Sequence, residues 1–159
     1  MDYVVGLPFS SRRDRLLLIR KARPTWQAGL LNGIGGKLES GETARQAMHR
    51  ESEEEAGLAT DWRDLAVLQG EGFRIDFFTA FDDAILDCEA RTDEPLVLVP
   101  VPFPPQTQHA MVPNLALMIA LALDQSGIAK PVFMRDVAPP RDLLASSASL
   151  RRSDMQTTL

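Results

Sequence analysis

From Gly36 to Leu58 the chain reads GKLESGETARQAMHRESEEEAGL, a stretch that loads one short segment with carboxylates and so dictates what the rest of the fold must provide. Thr43 and Gln46 form a Thr-x-x-Gln capping box, and Gly57 is a stop signal. A helix is therefore expected to begin at about Thr43 and to end at Gly57. On that helix Glu51, Glu54 and Glu55 stand at i, i+3 and i+4, which makes them neighbours on one side. Projection at 100° per residue places Ala44, Ala47 and Met48 on the side of Glu51 and Glu55. The acids continue a buried face and are expected to line a cleft.

Such an arrangement works against helix stability. Each like-charge pair costs roughly 0.2–0.5 kcal/mol, and acids in the last turns oppose the macrodipole. Arg50 supplies one positive charge and can reach Glu54 at i+4. A hard divalent cation is the natural partner for the remaining carboxylate oxygens, and Mg²⁺ in particular combines oxygen ligands with substrate phosphates. The stretch thus points to a metal site.

The wider spacing is more specific: Gly36, five residues, Glu42, seven residues, Arg50-Glu51, two residues, Glu54-Glu55, one residue, Gly57. With this spacing the chain strongly resembles the Nudix hydrolase family. Ser52 stands where the family usually has an aliphatic residue. Looser packing of the helix on the sheet is expected there, with the metal site retained.

The remaining composition narrows the setting. At 159 residues and 45% hydrophobic content the chain is expected to form one domain around a single core. A net charge of −5 offers no basic footprint for duplex nucleic acid. Cys88 is the only cysteine, in an acidic stretch, so no intrachain disulfide can form and a reducing compartment is the default. The N-terminus lacks the order of a signal peptide and no apolar run has the length of a membrane span. A cytoplasmic protein is expected, as a monomer or a homodimer.

Taken in order, Tyr3 to Leu7 and Arg15 to Arg20 read as strands, and Lys21 to Leu31 as a loop punctuated by Pro24 and Gly29. Trp26 in that loop can pack on a sheet edge or offer a surface on which a base stacks. The glycines of Asn32-Gly33-Ile34-Gly35-Gly36-Lys37 allow close approach of backbone to a ligand, and Lys37 is a candidate phosphate contact. Trp62 to Leu68 and the alternating run Phe73 to Phe81, interrupted by Phe78, read as paired core strands. Asp82 to Glu94 holds six acids against Arg91 and reads as a surface loop or frayed helix. Leu96 to Val101 reads as a strand. A second helix, capped by Asn114 and apolar nearly all round, is expected to be largely buried. Pro131 to Val137 reads as a last edge strand, closing a domain over residues 1–137, and residues 138–159 as a mobile tail. His49 and His109 are isolated.

The family resemblance, over roughly Tyr3 to Val137, implies an α/β fold of the α/β/α sandwich type with a mixed central sheet. It implies a metal site built from the Gly35 carbonyl, Glu51, Glu54 and Glu55, holding Mg²⁺ or alternatively Mn²⁺, with Arg50 orienting the carboxylates. Glu94, just before a strand, matches a place where the family often puts a further metal-binding or basic carboxylate. Either Glu51 or Glu94 is then the general base for water attacking a diphosphate bridge. Alanine28 to Lys37 is similar to nucleoside triphosphate diphosphatases that remove oxidised purine nucleotides. In those the residue matching Asn32 binds the base and the aromatic matching Trp26 lines the pocket. The likeness fails at Val112-Pro113-Asn114-Leu115, where they carry Trp-Pro-Asp-Asp; Asn114 can offer one donor and one acceptor instead.

The implied activity is Mg-dependent hydrolysis of a nucleoside triphosphate to the monophosphate and pyrophosphate. Markers of the ADP-ribose, dinucleoside-polyphosphate and NADH classes are absent downstream. The alternatives are another nucleoside diphosphate derivative or an RNA 5′ end as substrate, and a non-catalytic nucleotide-sensing module or an acidic scaffold. The complete acid set disfavours the last two.

Overall fold

The computed structural model describes residues 1–104, 106–107 and 110–136. Seven strands form one mixed sheet: β1 (Asp2–Phe9), β2 (Arg15–Arg20), β3 (Leu31–Asn32), β4 (Arg63–Gly70), β5 (Phe73–Phe81), β6 (Leu96–Pro100) and β7 (Val132–Arg135). The order is β3-β2-β1-β5-β4-β7, with β6 pairing antiparallel to β2. β1 runs parallel to β5 along its whole length, and β4 and β5 form the expected pair, which is antiparallel. Helix α1 (Ala44–Ala56) covers one face and helix α2 (Leu115–Leu123) the other.

This layering explains the irregular alternation of β5. A strand covered on both faces reads as a continuous apolar run. Phe77 packs into the cluster with Leu7, Phe9, Leu65, Leu115 and Met118, on the α2 side. Phe78 packs into the other, with Val4, Leu17, Ile34, Met48 and Trp62, under α1. The α/β/α sandwich implied by the sequence is the observed architecture.

Three expectations need correction. α2 is not largely buried: Leu115, Met118, Ile119 and Ala122 face the sheet, whereas Leu117 is 57% exposed, because the helix covers the sheet on one side only. Asn114 does occupy the cap position, but at φ 70 and without a side-chain cap bond, so its carboxamide is left for other partners. Packing at Ser52 is not loose. Its side chain is fully buried, donates to the His49 carbonyl at 3.1 Å and accepts from Trp62 Nε1 at 3.3 Å. The indole fills the space under α1 and leaves no room for a Cβ at Gly6, which would lie 2.6 Å from the ring. A small hydroxyl and a large aromatic together replace one aliphatic side chain.

The last strand ends at Arg135; Val137, the segment 138–159 and His109 lie outside the described residues. No helix among the described residues is long and apolar enough to cross a membrane.

Candidate active site

Helix α1 begins and ends as its sequence dictates. Thr43 and Gln46 form the reciprocal capping box, and Gly57 closes the helix in the left-handed conformation at φ 62. The segment 33–37 then runs beside β1, with Val4 N–H donating to the Gly36 carbonyl at 2.9 Å and Gly6 N–H to the Ile34 carbonyl at 2.7 Å. Gly35 is obligatory there: its φ is 149, and a Cβ would meet the Val4 carbonyl oxygen. The Gly35 carbonyl itself accepts no hydrogen bond among the described residues. At Gly36 the space of a Cβ is filled by the Glu51 carboxylate.

The three helix acids separate by depth. Glu55 is buried, at 8% exposure, and accepts from Gly35 N–H at 2.9 Å through Oε2. Glu51 is nearly as deep, its side chain 14% exposed, whereas the Glu54 side chain is 58% exposed and lies at the rim. Arg50 ties Glu51 and Glu54 together. It donates to Glu42 through Nε at 2.9 Å and Nη2 at 3.0 Å, and through Nη1 to Glu51 at 2.9 Å and Glu54 at 3.2 Å. Glu42, whose pKa the Arg50 bonds lower, anchors the far side of the guanidinium. Arg50 thus bonds two of the three helix acids, Glu51 and Glu54.

Glu94 reaches the same place from the opposite side. It lies in a cavity of about 500 Å³ with Gly35, Gly36, Lys37, Glu51, Glu55, Lys21 and Arg23. Its carboxylate is fully engaged, with Lys21 Nζ at 2.5 Å, Ala22 N–H at 2.6 Å and Arg23 N–H at 3.3 Å. Burial opposes ionisation of Glu94, but these bonds outweigh it and hold the carboxyl below its usual range. Glu51 and Glu55 go the other way. Burial raises Glu51, only partly offset by Arg50. Burial also pushes Glu55 to about 7, against the Gly35 bond and the Lys21 charge, with Glu51 and Glu94 adding repulsion. Among the described residues no three acids are yet drawn to a common point. The physical reason is that Arg50 and Lys21 each pull part of the set.

The residues fit a hard divalent cation. Glu51, Glu55 and Glu94 line one cavity, the Gly35 carbonyl beside them has no partner among the described residues, and a Cβ at Gly36 would intrude on the Glu51 carboxylate. Lys37 is exposed at the edge of the cavity, and its carbonyl accepts from Arg50 at 3.2 Å.

A second cavity of about 600 Å³ adjoins the first and shares Lys21, Arg23, Gly35 and Gly36 with it. Trp26, 65% exposed, stands at its wall with Asn32, Asn114 and Gln27, over an apolar floor that includes Phe73, Ile75 and Phe77. The structure therefore brings Trp26, Asn32 and Asn114 together in one cavity, and Glu51, Glu55 and Glu94 in the other. His49 is exposed on the outer side of α1, burial raises the pKa of the Cys88 thiol, and neither residue lines the two cavities. Sequence reasoning missed Lys21, Arg23 and Gln27. Lys21 and Glu94 are 73 positions apart, and no local pattern links them.

A family model, the NUDIX domain, matches residues 2–112. The chain belongs to the Nudix family. Solved structures share the fold. MutT from Aliivibrio salmonicida and Vibrio cholerae work matches at TM-score 0.60 and 23% identity, over 76% of this chain and 95% of that one. A NUDIX hydrolase from Nitrosomonas europaea matches at 0.61 and 18%, over 85% and 78%. The NUDIX domain of Shewanella oneidensis NrtR, complexed with ADP ribose, matches at 0.63 and 14%, over 77% and 85%. A search of curated proteins found no match.

Proposed function

We propose that the protein hydrolyses a diphosphate linkage in a nucleoside triphosphate, releasing the nucleoside monophosphate and pyrophosphate with Mg²⁺ bound. The observation that carries this reading is the pair of contiguous cavities, one lined by carboxylates and one by an indole and carboxamides, with Lys21 and Arg23 on the shared wall. A nucleotide has the same division: an anionic phosphate end and a flat, polar-edged base.

Glu51, Glu54, Glu55, Glu94 and the Gly35 carbonyl would hold the cation. When bound, Mg²⁺ supplies charge neutralisation at the phosphate oxygens and favours deprotonation of a coordinated water. Arg50, anchored by donating to Glu42, keeps Glu51 and Glu54 in orientation by donating to each through Nη1. Glu51 is the better placed general base, since only its Oε1 is engaged, by Arg50, whereas both oxygens of Glu94 are held by Lys21 and the Ala22 and Arg23 N–H groups. A water oxygen forms the new bond to phosphorus, its proton passes to Glu51, and the bridging P–O bond breaks with its electrons on the leaving pyrophosphate. Lys21 and Arg23 line both cavities and Lys37 lines the acid side, so these are the cations available to the phosphates. The domain spans residues 1–137 in this reading, with 138–159 outside the catalytic unit.

ADP-ribose derivatives are the second substrate class. The ligand of the NrtR domain favours them, since their diphosphate would meet the same acids. Product analysis across nucleoside triphosphates, ADP-ribose, dinucleoside polyphosphates and triphosphorylated RNA, with Mg²⁺ or with chelator, tests both. Monophosphate and pyrophosphate formed only with Mg²⁺ supports the first reading. No turnover of any of these compounds at saturating Mg²⁺ overturns it.

A further inference from the structure

Inside the base-side cavity the hydrogen bonds of two carboxamides run in one direction. Gly33 N–H donates to Asn32 Oδ1 at 2.8 Å, and Asn32 Nδ2 donates to Gln27 Oε1 at 3.3 Å. The first bond settles which end of Asn32 is oxygen, because an N–H group cannot donate to an amide nitrogen. The second then settles Gln27. Its oxygen faces Asn32, and its Nε2 has no hydrogen-bond partner among the described residues. What remains unspent on the pair is therefore mainly donor: both hydrogens of Gln27 Nε2 and one of Asn32 Nδ2.

Gln27 is held in place by its own loop. Its N–H donates to the Pro24 carbonyl and its carbonyl accepts from Leu30 N–H, each at 2.8 Å, while Lys21 bonds Leu30 and Gly29 across the loop base at 2.9 and 2.8 Å. The cavity's remaining carboxamide and its carboxylate are not so directed. Asn114 makes no cap bond and can present either atom, and Asp136 only accepts.

We infer that Gln27 is a specificity-determining residue, which through its bond with Asn32 makes the base-reading edge a donor and selects nucleobases presenting a carbonyl over those presenting an amino group. Guanine offers two adjacent acceptors, O6 and N7, and uracil and thymine offer O4. Adenine and cytosine present an amino donor at the corresponding position. The inference rests on the base occupying this cavity, as in the proposed function.

The test is a panel of GTP, UTP, ATP and CTP with Mg²⁺, comparing kcat/KM for wild type, Gln27→Glu and Gln27→Met, with Trp26→Ala alongside. A base-edge contact is worth about 1–3 kcal/mol of discrimination, which is roughly 5- to 150-fold. Wild type is expected to favour GTP and UTP by about that factor over ATP and CTP. Gln27→Glu keeps the oxygen that Asn32 needs but replaces the outward donors with an acceptor, so the ratio falls by at least about tenfold or inverts. Gln27→Met matches the shape without hydrogen bonds and should level the panel. A merely structural role would lower all four substrates together. An unchanged ratio in Gln27→Glu, while Trp26→Ala raises KM for all four, overturns the inference and leaves the cavity assignment standing. No response to any of the three variants places the base elsewhere and overturns both.

Discussion

The two cavities on either side of Gly35 and Gly36 are built by opposite means. The acid side is held by charge: Arg50 binds Glu42, Glu51 and Glu54, and Lys21 binds Glu94, with Arg50, Glu51 and Glu54 drawn from one helix. The base side is held by shape and neutral amides contributed by a loop, a short strand, β5 and the cap of α2. The contrast matches the chemistry. Electrostatic preorganisation towards developing charge raises the turnover rate, whereas binding shared by ground and transition states moves KM alone. Damage to one side should appear in kcat and damage to the other in KM.

The largest effect is expected at the rim acid. Glu54→Gln should lower kcat by about 100-fold or more, since removing even a group that only supports a ligand costs a metal site roughly 10- to 100-fold. Its melting temperature without metal should barely move. The exposed Arg50–Glu54 pair contributes little, and relief of like-charge repulsion is of similar size. Full activity of Glu54→Gln at saturating Mg²⁺, in steady-state kinetics, would remove this residue from the acid site.

Trp26→Ala sharpens the other side. Stacking on an aromatic is worth about 1–3 kcal/mol per base, so KM should rise roughly 5- to 150-fold with kcat nearly constant. A fall in kcat of the same size would mean that the indole also positions the reacting phosphorus, and the division between the cavities would blur.

The acid side alone should respond to pH before any substrate is added. The Glu55 pKa, ordinarily near 4.5, is raised to about 7 in the folded protein, with burial as the main cause. Between these values the folded state holds a proton that the unfolded chain has released, so this contribution is present at low pH and lost as pH rises through 7. It is on the order of 1–3 kcal/mol. Metal-free protein should therefore melt lower at pH 8 than at pH 6. Calorimetric Mg²⁺ affinity should weaken by up to about tenfold per unit as pH drops below 7, because binding expels that proton. Glu55→Gln should flatten the melting profile. If it does not, another group carries the dependence.

The smallest effect concerns support beneath α1. Ser52→Ala leaves the buried Trp62 N–H without its partner, which costs about 1–3 kcal/mol. The loss should be visible in chemical denaturation, with KM unchanged. A neutral result would mean that the indole and helix close over the gap.

How much of this could be read from residues alone follows the same division. The capping box, the Gly57 stop, the acid spacing and the Arg50 reach are local, set within one helix, and the structure has them all. Trp26 was legible from its loop as a stacking surface, whereas base contacts by Asn32 and Asn114 were legible only through a family likeness; the structure puts all three around one cavity. The hold of Lys21 on Glu94, the turn of Gln27 towards Asn32 and the filling of Ser52 by Trp62 depend on residues that meet only after the sheet forms. No pattern along the chain encodes such meetings. The exposed side of α2 shows the reverse limit: an all-apolar sequence does not say which face finds a partner.

The claim beneath all of this is that one ligand spans both cavities. Binding of a non-hydrolysable imido-triphosphate nucleotide, followed by quenching of the exposed Trp26 against the constant signal of buried Trp62, tests it directly. Mg²⁺ should tighten the triphosphate by about tenfold or more, a coupling near 1.4 kcal/mol, and leave binding of the bare nucleoside unchanged. Glu54→Gln should erase the coupling without weakening the nucleoside. Equal tightening of nucleoside and triphosphate, or none of either, would contradict the account.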